Sequence, residues 1–258
     1  MASVGFGFYS STVLLALYTQ KVMAYDAWTS GLVLAPGGIG NMAALLISGR
    51  LVARMDQRLL LGVGCVLNIT AFVYMTNISL GMDYYALALP RFIQGLGQGF
   101  TFVPLQTLAL ATIPMQRLSN ATAAYNVVRN FGGSMGIAMA TTLLARRSQY
   151  HQATLAGHVT VWDPETAARL KEWTAHFLAQ GADAFTAQRR AMAMLYRGTQ
   201  DQAQVLAYAD AYVVLVILFV GIVFLLPWMR RVRVDQTGPK AARPAADRAE
   251  AVSGAAAD

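Results

Sequence analysis

Three polar side chains stand at helical spacing inside one of the longest apolar stretches of this sequence. Arg91, Gln94 and Gln98 occupy positions i, i+3 and i+7, so a helix would present them on one face. An arginine at mid-bilayer costs about 2.5 to 3.5 kcal/mol on insertion scales, so this face must point into a bundle interior or a water-filled path. The stripe can take part in transport, or it can be a structural network with carbonyls and amides. The spacing leaves both open.

Further polar residues lie within the apolar stretches. They can line a path for amphipathic molecules, although such residues are as often packing groups. They are Asn41, Asn68 and Gln106, together with Tyr9 and Tyr18. A second polar group lies near one end of its apolar stretch, and for it we favour a structural or gating role over substrate contact. Its members are Asn126, Arg129 and Asn130.

Acidic residues are missing from the apolar stretches, and Asp210 at the edge of the last stretch comes closest. Proton relays in pumps use Asp, Glu or His, so a coupling acid is expected on other helices. The histidines, His151, His158 and His176, lie in a polar segment without HExxH spacing. The sequence therefore favours neither an enzyme nor a metal site, and no cofactor is expected.

The composition indicates an all-α integral membrane protein. Hydrophobic residues make up 56% of the chain and charged residues only 13%, against roughly 25% charged in globular domains. The mean hydropathy is +0.43. Basic residues cluster beside apolar runs, which is typical of helix orientation in a bilayer and lacks the aromatic interleaving of a nucleic-acid surface. The single cysteine, Cys65, excludes an intrachain disulfide.

Six stretches are long enough to span a bilayer, which takes about 20 apolar residues. They are 3–22, 29–49, 59–77, 84–110, 121–145 and 208–229. The second contains Pro36 and the fourth contains Pro90 and Pro104, so we expect both helices to be bent or locally unwound. Two small-xxx-small pairs are expected to permit close helix packing: Gly95 with Gly99, and Gly132 with Gly136.

A polar segment, 146–207, separates the last two predicted spans and is expected to hold amphipathic helices of its own. Asp163 is a good N-cap for a helix that starts at Pro164 and closes at Gly181. After the last span the chain turns into an Ala, Pro and charge tail that we expect to be disordered. The predicted regions are five spans in 1–145, an extracytoplasmic loop in 146–207, the last span in 208–231 and a cytoplasmic tail in 232–258.

The orientation follows from arginines in the short connections, which mark the cytoplasmic side. They are Arg50, Arg54 and Arg58 after span two, Arg117 after span four, and Arg230, Arg231 and Arg233 after span six. The N-terminus is then cytoplasmic and the 146–207 loop lies outside. Arg146 and Arg147 argue against this orientation, but the rule weakens for loops of about 60 residues.

The motifs, taken in order, resemble the C-terminal half of the major facilitator superfamily, specifically the fourteen-span EmrB/QacA-like drug:proton antiporters. The resemblance rests on GRLVARMDQR at 49–58, LPRFIQGLGQGF at 89–100 and NVVRNFGGSMG at 126–136. It extends from about Val4 to Arg231, and the long loop before the last span also fits. It implies a six-helix bundle that corresponds to one repeat of the two-repeat fold.

The resemblance also implies residue roles. Arg91, Gln94 and Gly95 match the RxxQG pattern, whose arginine is associated with proton coupling in the family. The family's GxLxDRxGRR loop latches the conformational change on the cytoplasmic side. Gly49, Leu51, Arg54 and Arg58 match this loop, whereas Ala53 replaces its acid and Asp56 replaces a glycine.

The expected function is therefore the C-terminal half of a proton-coupled multidrug efflux transporter in the bacterial inner membrane. An N-terminal half, in cis or as a separate chain, would complete it, and Met1 is expected to be an internal start. The expected partners are amphipathic small-molecule drugs, protons and the lipid bilayer, with a periplasmic adaptor as a further candidate and no nucleic acid. The chain alone should be inactive. The alternative is a non-transporting membrane subunit or receptor derived from one repeat.

Overall fold

The computed structural model describes residues 1–228 except 53, 112 and 160–162, and helices joined by short connections make up this part. Seven α-helices follow one another without a strand in these residues. They are α1 (Ala2–Leu17), α2 (Ala27–Leu51), α3 (Gln57–Thr76), α4 (Tyr84–Leu110), α5 (Leu118–His158), α6 (Pro164–Ala179) and α7 (Ala184–Leu225). A π-helical turn, Tyr18–Val22, extends α1, and 3-10 turns at Met115–Arg117 and Leu226–Trp228 precede α5 and follow α7.

Aspartates cap the helices that begin in polar connections. Asp163 accepts hydrogen bonds from the Thr166 amide at 3.0 Å and the Thr166 hydroxyl at 2.6 Å, which confirms the predicted start of α6. The hydrogen bond from the Thr166 side chain, followed by that from its amide, holds the pKa of Asp163 below its usual value. Gly181, at φ +88°, lies between α6 and α7 where glycine is favoured. Asp26, Asp56 and Asp183 cap α2, α3 and α7 in the same way.

The helices pack in the spatial order α2, α4, α3, α7, α5, α1. Helix α4 therefore lies between α2 and α3, while α5 lies between α7 and α1. Helices α4 and α5 follow each other in sequence yet make little contact. The two groups meet through α3 and α7 and through side chains that reach from α4 to α1.

Aromatic rings join α1, α3 and α7 in the bundle core. The Tyr18 ring meets Tyr208 edge-on with 5.3 Å between centroids, and Phe72 meets Phe219 in the same way at 5.3 Å. The Tyr18 hydroxyl donates to the Ser79 carbonyl at 2.8 Å. A buried tyrosine in a bilayer needs such a partner, because no water is present to take its hydrogen bond. Of the two roles that the sequence left open for Tyr18, these contacts favour packing.

Two helices run well past the predicted spans. Helix α5 continues from the expected end at 145 to His158, and α7 begins at Ala184 rather than at 208. The 146–207 segment is thus mostly the continuation of two spans, with α6 packed on α7. Hydropathy detects only the apolar part of a helix, and no helix breaker follows Arg146 until Gly157. We call residues 146–159 and 163–207 the helical extension.

The prolines do not unwind their helices. Helix α2 stays continuous through Pro36, and α4 stays continuous through Pro90 and Pro104. Of the two expected distortions, local unwinding is wrong for both helices, and bending stays a prediction. The irregular helical turn lies instead at Tyr18–Val22, where α1 changes to π-helical bonding and ends before Ala24 at φ 52°. Neighbouring helices can supply the lost contacts around a buried proline, which allows the helix to continue.

Four helices in the described part are long and apolar enough to cross a membrane: α1 with its π-helical turn, α2, α3 and α7. Helix α4 and the following helix, which are bent by 118° across the break between them, pass this test only as a pair. Arginine, glutamine and glycine lower the hydropathy of α4, so its crossing and that of α5 stay predictions. The tail 232–258 and Arg230, Arg231 and Arg233 lie outside the described residues.

Candidate functional site

The polar stripe of α4 is buried and bound to α1. Arg91 is 7% exposed and donates from Nη1 to Gln94 Oε1 at 2.7 Å and from Nη2 to Thr12 Oγ1 at 3.2 Å. Gln94 in turn donates from Nε2 to the Ser11 hydroxyl at 2.5 Å. Charged donors make stronger hydrogen bonds than neutral ones, and a low-dielectric interior strengthens them further. We call Ser11, Thr12, Arg91 and Gln94 the Arg91 network.

The Arg91 network lies beside a close contact between α2 and α4. A methyl group on Gly95 would collide with the Gly37 carbonyl, and one on Gly37 would stand 2.6 Å from Arg91 Nε. A methyl group on Gly99 would meet Ala44 and stand 3.0 Å from the Asn41 carbonyl. Asn41 lies in the same contact, where its Oδ1 is buried without a hydrogen-bond partner among the described residues. Only glycine lets the two backbones come this close.

A second close contact joins α1 and α5. A methyl group on Gly132 would collide with the Ala2 carbonyl, and one on Gly136 would stand 2.6 Å from the Phe6 carbonyl. On the facing helix, a methyl group on Gly5 would collide with the Arg129 carbonyl. Both predicted glycine pairs thus lie where two helix backbones meet.

Near this second contact lies a group that the sequence analysis only partly identified. Arg129 holds its guanidinium carbon 5.8 Å from the centre of the Phe102 ring, and Phe8 meets Phe102 edge-on at 5.7 Å. Gln98 stands one helical turn before Phe102, and Tyr125 stands one turn before Arg129. We call these five residues the Arg129 cluster. The i, i+4 spacing of the two pairs was the available signal for Phe102 and Tyr125.

The Arg129 cluster contains polar atoms that are buried and unpaired. Arg129 Nε, Gln98 Nε2 and the Tyr125 hydroxyl have no hydrogen-bond partner among the described residues. Gln98 is only 6% exposed and Tyr125 only 8%. Buried polar groups in proteins are nearly always hydrogen-bonded, so each exception calls for a physical reason. Asn130 lies nearby and accepts from the Tyr9 hydroxyl at 3.4 Å.

The remaining predicted path residues lie in other surroundings. Asn68 is buried between α3 and α4, where it donates to the Gly64 carbonyl of its own helix at 2.8 Å. A methyl group on Gly97 would stand 2.6 Å from Asn68 Nδ2, so this side chain fills the α3–α4 contact. Gln106 is exposed near the end of α4. Neither residue takes part in the Arg91 network.

The connection between α2 and α3 departs further from the family's loop. Gly49 and Leu51 belong to the end of α2, and Arg54 is exposed in the following turn. Asp56 caps α3 by accepting from the Arg58 amide at 3.1 Å. Ala53 lies outside the described residues. Since Asp56 serves as a helix cap, its carboxylate has a structural use here, and the latch role of this loop stays a prediction.

The described acids of the long helices are confined to α7, at Asp201 and Asp210. Asp210 accepts from His151 Nε2 at 2.7 Å and lies 3.6 Å from Arg147 Nε. This contact ties α7 to α5 and was not foreseen, because the sequence interpretation placed His151 in a separate loop. In the part of the chain that the structure describes, neither Arg91 nor Arg129 has a carboxylate partner.

Comparison with known proteins agrees with this architecture. The Major Facilitator Superfamily model matches residues 1–137. The multidrug export protein EmrB of Escherichia coli (strain K12) is 33% identical over 162 residues, which are 62% of this chain and 32% of EmrB. The fatty acid resistance protein FarB of Neisseria gonorrhoeae is 31% identical over 180 residues, 69% of this chain and 35% of FarB. The uncharacterized MFS-type transporter YhcA of Bacillus subtilis (strain 168) is 24% identical over 233 residues, 90% of this chain and 44% of YhcA.

The chain spans about a third to somewhat under half of the length of these relatives. The family model covers more than half of the chain, from α1 into α5. Its helical bundle has the character of one half of that fold: all-α, with several apolar spans and a buried polar stripe on α4. The chain belongs to the Major Facilitator Superfamily.

Proposed function

We propose that the chain is the C-terminal half of a proton-coupled multidrug efflux transporter. The Arg91 network carries this proposal, because it places a charge, an amide and two hydroxyls between α1 and α4 of an otherwise apolar bundle. The names of the relatives, a multidrug export protein among them, support drug efflux as the activity. Amphipathic small-molecule drugs are the proposed substrates, and protons are the proposed coupling ion.

A partner half follows from how secondary transporters work. They bind substrate near the bilayer midplane between two repeats and rock one bundle against the other. This chain supplies one bundle, so an N-terminal half, in cis or as a separate chain, would supply the opposing wall. Asp210 is already engaged by His151 and Arg147, which leaves the coupling acid to the other half. A periplasmic adaptor is a further candidate partner.

Ethidium transport in everted inner-membrane vesicles tests the proposal. Vesicles that contain this chain together with an N-terminal half should accumulate ethidium under a proton gradient, and an uncoupler should abolish the accumulation. Vesicles that contain the chain alone should behave like empty vesicles, because alternating access requires two bundles. In the two-half protein, Arg91→Ala should abolish the accumulation. Arg146→Gln, which changes an exposed arginine on α5, is the control and should retain it.

Two results would reject this function. Gradient-dependent accumulation by the chain alone would show that one bundle suffices. Accumulation that survives Arg91→Ala would remove the Arg91 network from the mechanism. A non-transporting subunit would instead show no uptake in any combination, although both halves insert in the membrane.

We also propose that the helical extension lies outside the cytoplasm and that the α2–α3 connection lies inside. The arginines of the short connections support this orientation. A cysteine at the exposed position Gln180, in a background that lacks the buried Cys65, should react with an impermeant thiol reagent in intact cells. Labelling only after permeabilisation would reverse the orientation. A cysteine at the exposed position Arg54, in the α2–α3 connection, is the control and should react only after permeabilisation.

A further inference from the structure

We propose that the Arg129 cluster is a subsite for a carboxylate carried on an apolar or aromatic body. This proposal rests on the proposed function and adds a ligand class to it. The cluster belongs to the same helices, α1, α4 and α5, that would face the transport path. Two features of the cluster point to this ligand class: its unpaired donors and its aromatic walls.

The unpaired atoms of the cluster are chiefly hydrogen-bond donors. Arg129 Nε and Gln98 Nε2 can only donate, and the Tyr125 hydroxyl can donate as well. A buried donor without a partner costs free energy, whereas a ligand oxygen that accepts from it recovers that loss. Tyr125 and Arg129 lie one turn apart on α5, so a group with several acceptor lone pairs suits their donors. A carboxylate offers about four, on two oxygens.

The charge of the cluster favours an anion over a neutral acceptor. Arginine is a cationic side chain, and the planar guanidinium of Arg129 matches the two oxygens of a carboxylate. Elsewhere on α5, Arg147 Nε lies 3.6 Å from a carboxylate oxygen of Asp210. Arg129 has no such acid among the described residues, and its charge lies within a bundle where unpaired charge is costly. The cluster is therefore an incomplete ion pair.

The aromatic members define the rest of the ligand. Phe102 covers one side of the Arg129 guanidinium, and Phe8 packs edge-on against Phe102. An apolar or aromatic body can stack on these rings while its carboxylate meets Arg129. In the Arg91 network, by contrast, two of the three guanidinium nitrogens are bonded to Gln94 and Thr12, and only Nε has no partner among the described residues.

The carboxylate can come from two sources. It can belong to an anionic substrate, or it can be an Asp or Glu side chain of the proposed N-terminal half. In the second case the acid would neutralise Arg129 and leave the aromatic walls free for a cationic drug. The chemistry at Arg129 is the same in both cases.

Equilibrium binding to the purified 258-residue chain in a neutral detergent tests the subsite. The probes are 2-naphthoate, 2-naphthamide and 2-naphthylmethylammonium, which share a ring system and differ in the head group. We expect 2-naphthoate to bind at least tenfold more tightly than the ammonium probe, with the amide between them. Arg129→Gln should remove this preference, and Arg146→Gln, an exposed arginine on the same helix, should retain it.

Tyr125→Phe provides a second variant, which keeps the ring and removes one donor. It should weaken 2-naphthoate binding about threefold and leave 2-naphthamide binding unchanged. Equal binding of the three probes, no binding of 2-naphthoate, or a preference that survives Arg129→Gln with Tyr125→Phe would overturn the proposal.

Adding the N-terminal half separates the two sources. If an acid of that half fills the subsite, it should displace 2-naphthoate. If the substrate supplies the carboxylate, 2-naphthoate should stay bound and should inhibit transport by the two-half protein. Because binding is measured on the chain alone, loss of ethidium transport with an intact preference would reject only the proposed transport function. Transport without the preference would reject only the subsite.

Discussion

Arg91 and Arg129 are two arginines in one helical bundle, and their surroundings differ in kind. Arg91 is 7% exposed and donates to Gln94 and Thr12, so two helices are tied together through its guanidinium. Arg129 is less buried and rests on Phe102, while Nε has no hydrogen-bond partner among the described residues in either arginine. Burial alone would rank Arg91 as the more functional residue. The hydrogen bonds suggest that Arg91 organises the bundle while Arg129 is open to a ligand.

The helix contacts beside the two arginines are alike, which sharpens the comparison. Gly37 and Gly95 bring α2 and α4 together next to Arg91, while Gly5 and Gly132 bring α1 and α5 together next to Arg129. The two sites thus share a backbone arrangement and differ in their partners. Helix α1 offers the Thr12 hydroxyl to the first arginine, and α4 offers an aromatic ring to the second.

The largest effect is expected from filling a helix contact. Gly95→Val would push against the Gly37 carbonyl of α2, and Gly132→Val against the Ala2 carbonyl of α1. Overpacking costs about 1–3 kcal/mol, and more where backbone must move, so both variants should lose most folded protein. Gly38→Val is the control, because nothing lies within 4 Å of a methyl group there. Thermal unfolding in detergent measures the difference. A stable Gly95→Val protein would contradict the close contact.

A smaller effect is expected at Arg91. Arg91→Ala leaves Gln94 and Thr12 short of a partner in the bundle interior, at a cost of about 1–3 kcal/mol of folding stability. Arg91→Gln can retain part of the network and should fold while losing transport in the two-half protein. Arg129→Gln should lower the unfolding temperature much less than Arg91→Ala. Equal losses of stability in Arg91→Ala and Arg129→Gln would mean that the two arginines contribute alike to the folded bundle.

Thr12 tests whether α1 contributes to the Arg91 network. Thr12→Val keeps the shape of the side chain and removes the oxygen that accepts from Arg91 Nη2, at a cost of about 1 kcal/mol. Combined with Arg91→Gln in a double-mutant cycle, it should show a coupling energy of at least about 0.5 kcal/mol. Strictly additive effects on unfolding would mean that the 3.2 Å contact contributes nothing.

The smallest effect is expected at Tyr125. Tyr125→Phe removes a buried hydroxyl that has no partner among the described residues, so stability should stay the same or rise by less than about 1 kcal/mol. Tyr18→Phe is the matched change at a satisfied tyrosine, and it should cost about 1 kcal/mol because the Ser79 contact is lost. Comparable losses from the two substitutions would mean that Tyr125 is bonded in the folded protein.

Much of the secondary structure could be predicted from local signals. Asp163 followed by Pro164 predicted the start of α6, and the glycine pairs predicted where helices come close. The lengths of α5 and α7 could not be predicted, since hydropathy reports only where a helix is apolar. The continuity of α4 through Pro90 and Pro104 was also missed, because neighbouring helices rather than the local sequence decide whether a proline unwinds a helix.

The sequence by itself determined that this protein is helical and lies in a membrane, and that the stripe of Arg91, Gln94 and Gln98 faces inward. These properties depend on composition and on the 3.6-residue period, which are local. Only the tertiary structure decided which polar groups are satisfied. Thr12 and Arg91 are 79 residues apart in sequence, and Phe102 reaches Arg129 from another helix. Such partners are set by how the helices pack, so no spacing within one helix could distinguish the arginine bonded to Thr12 from the one that rests on Phe102.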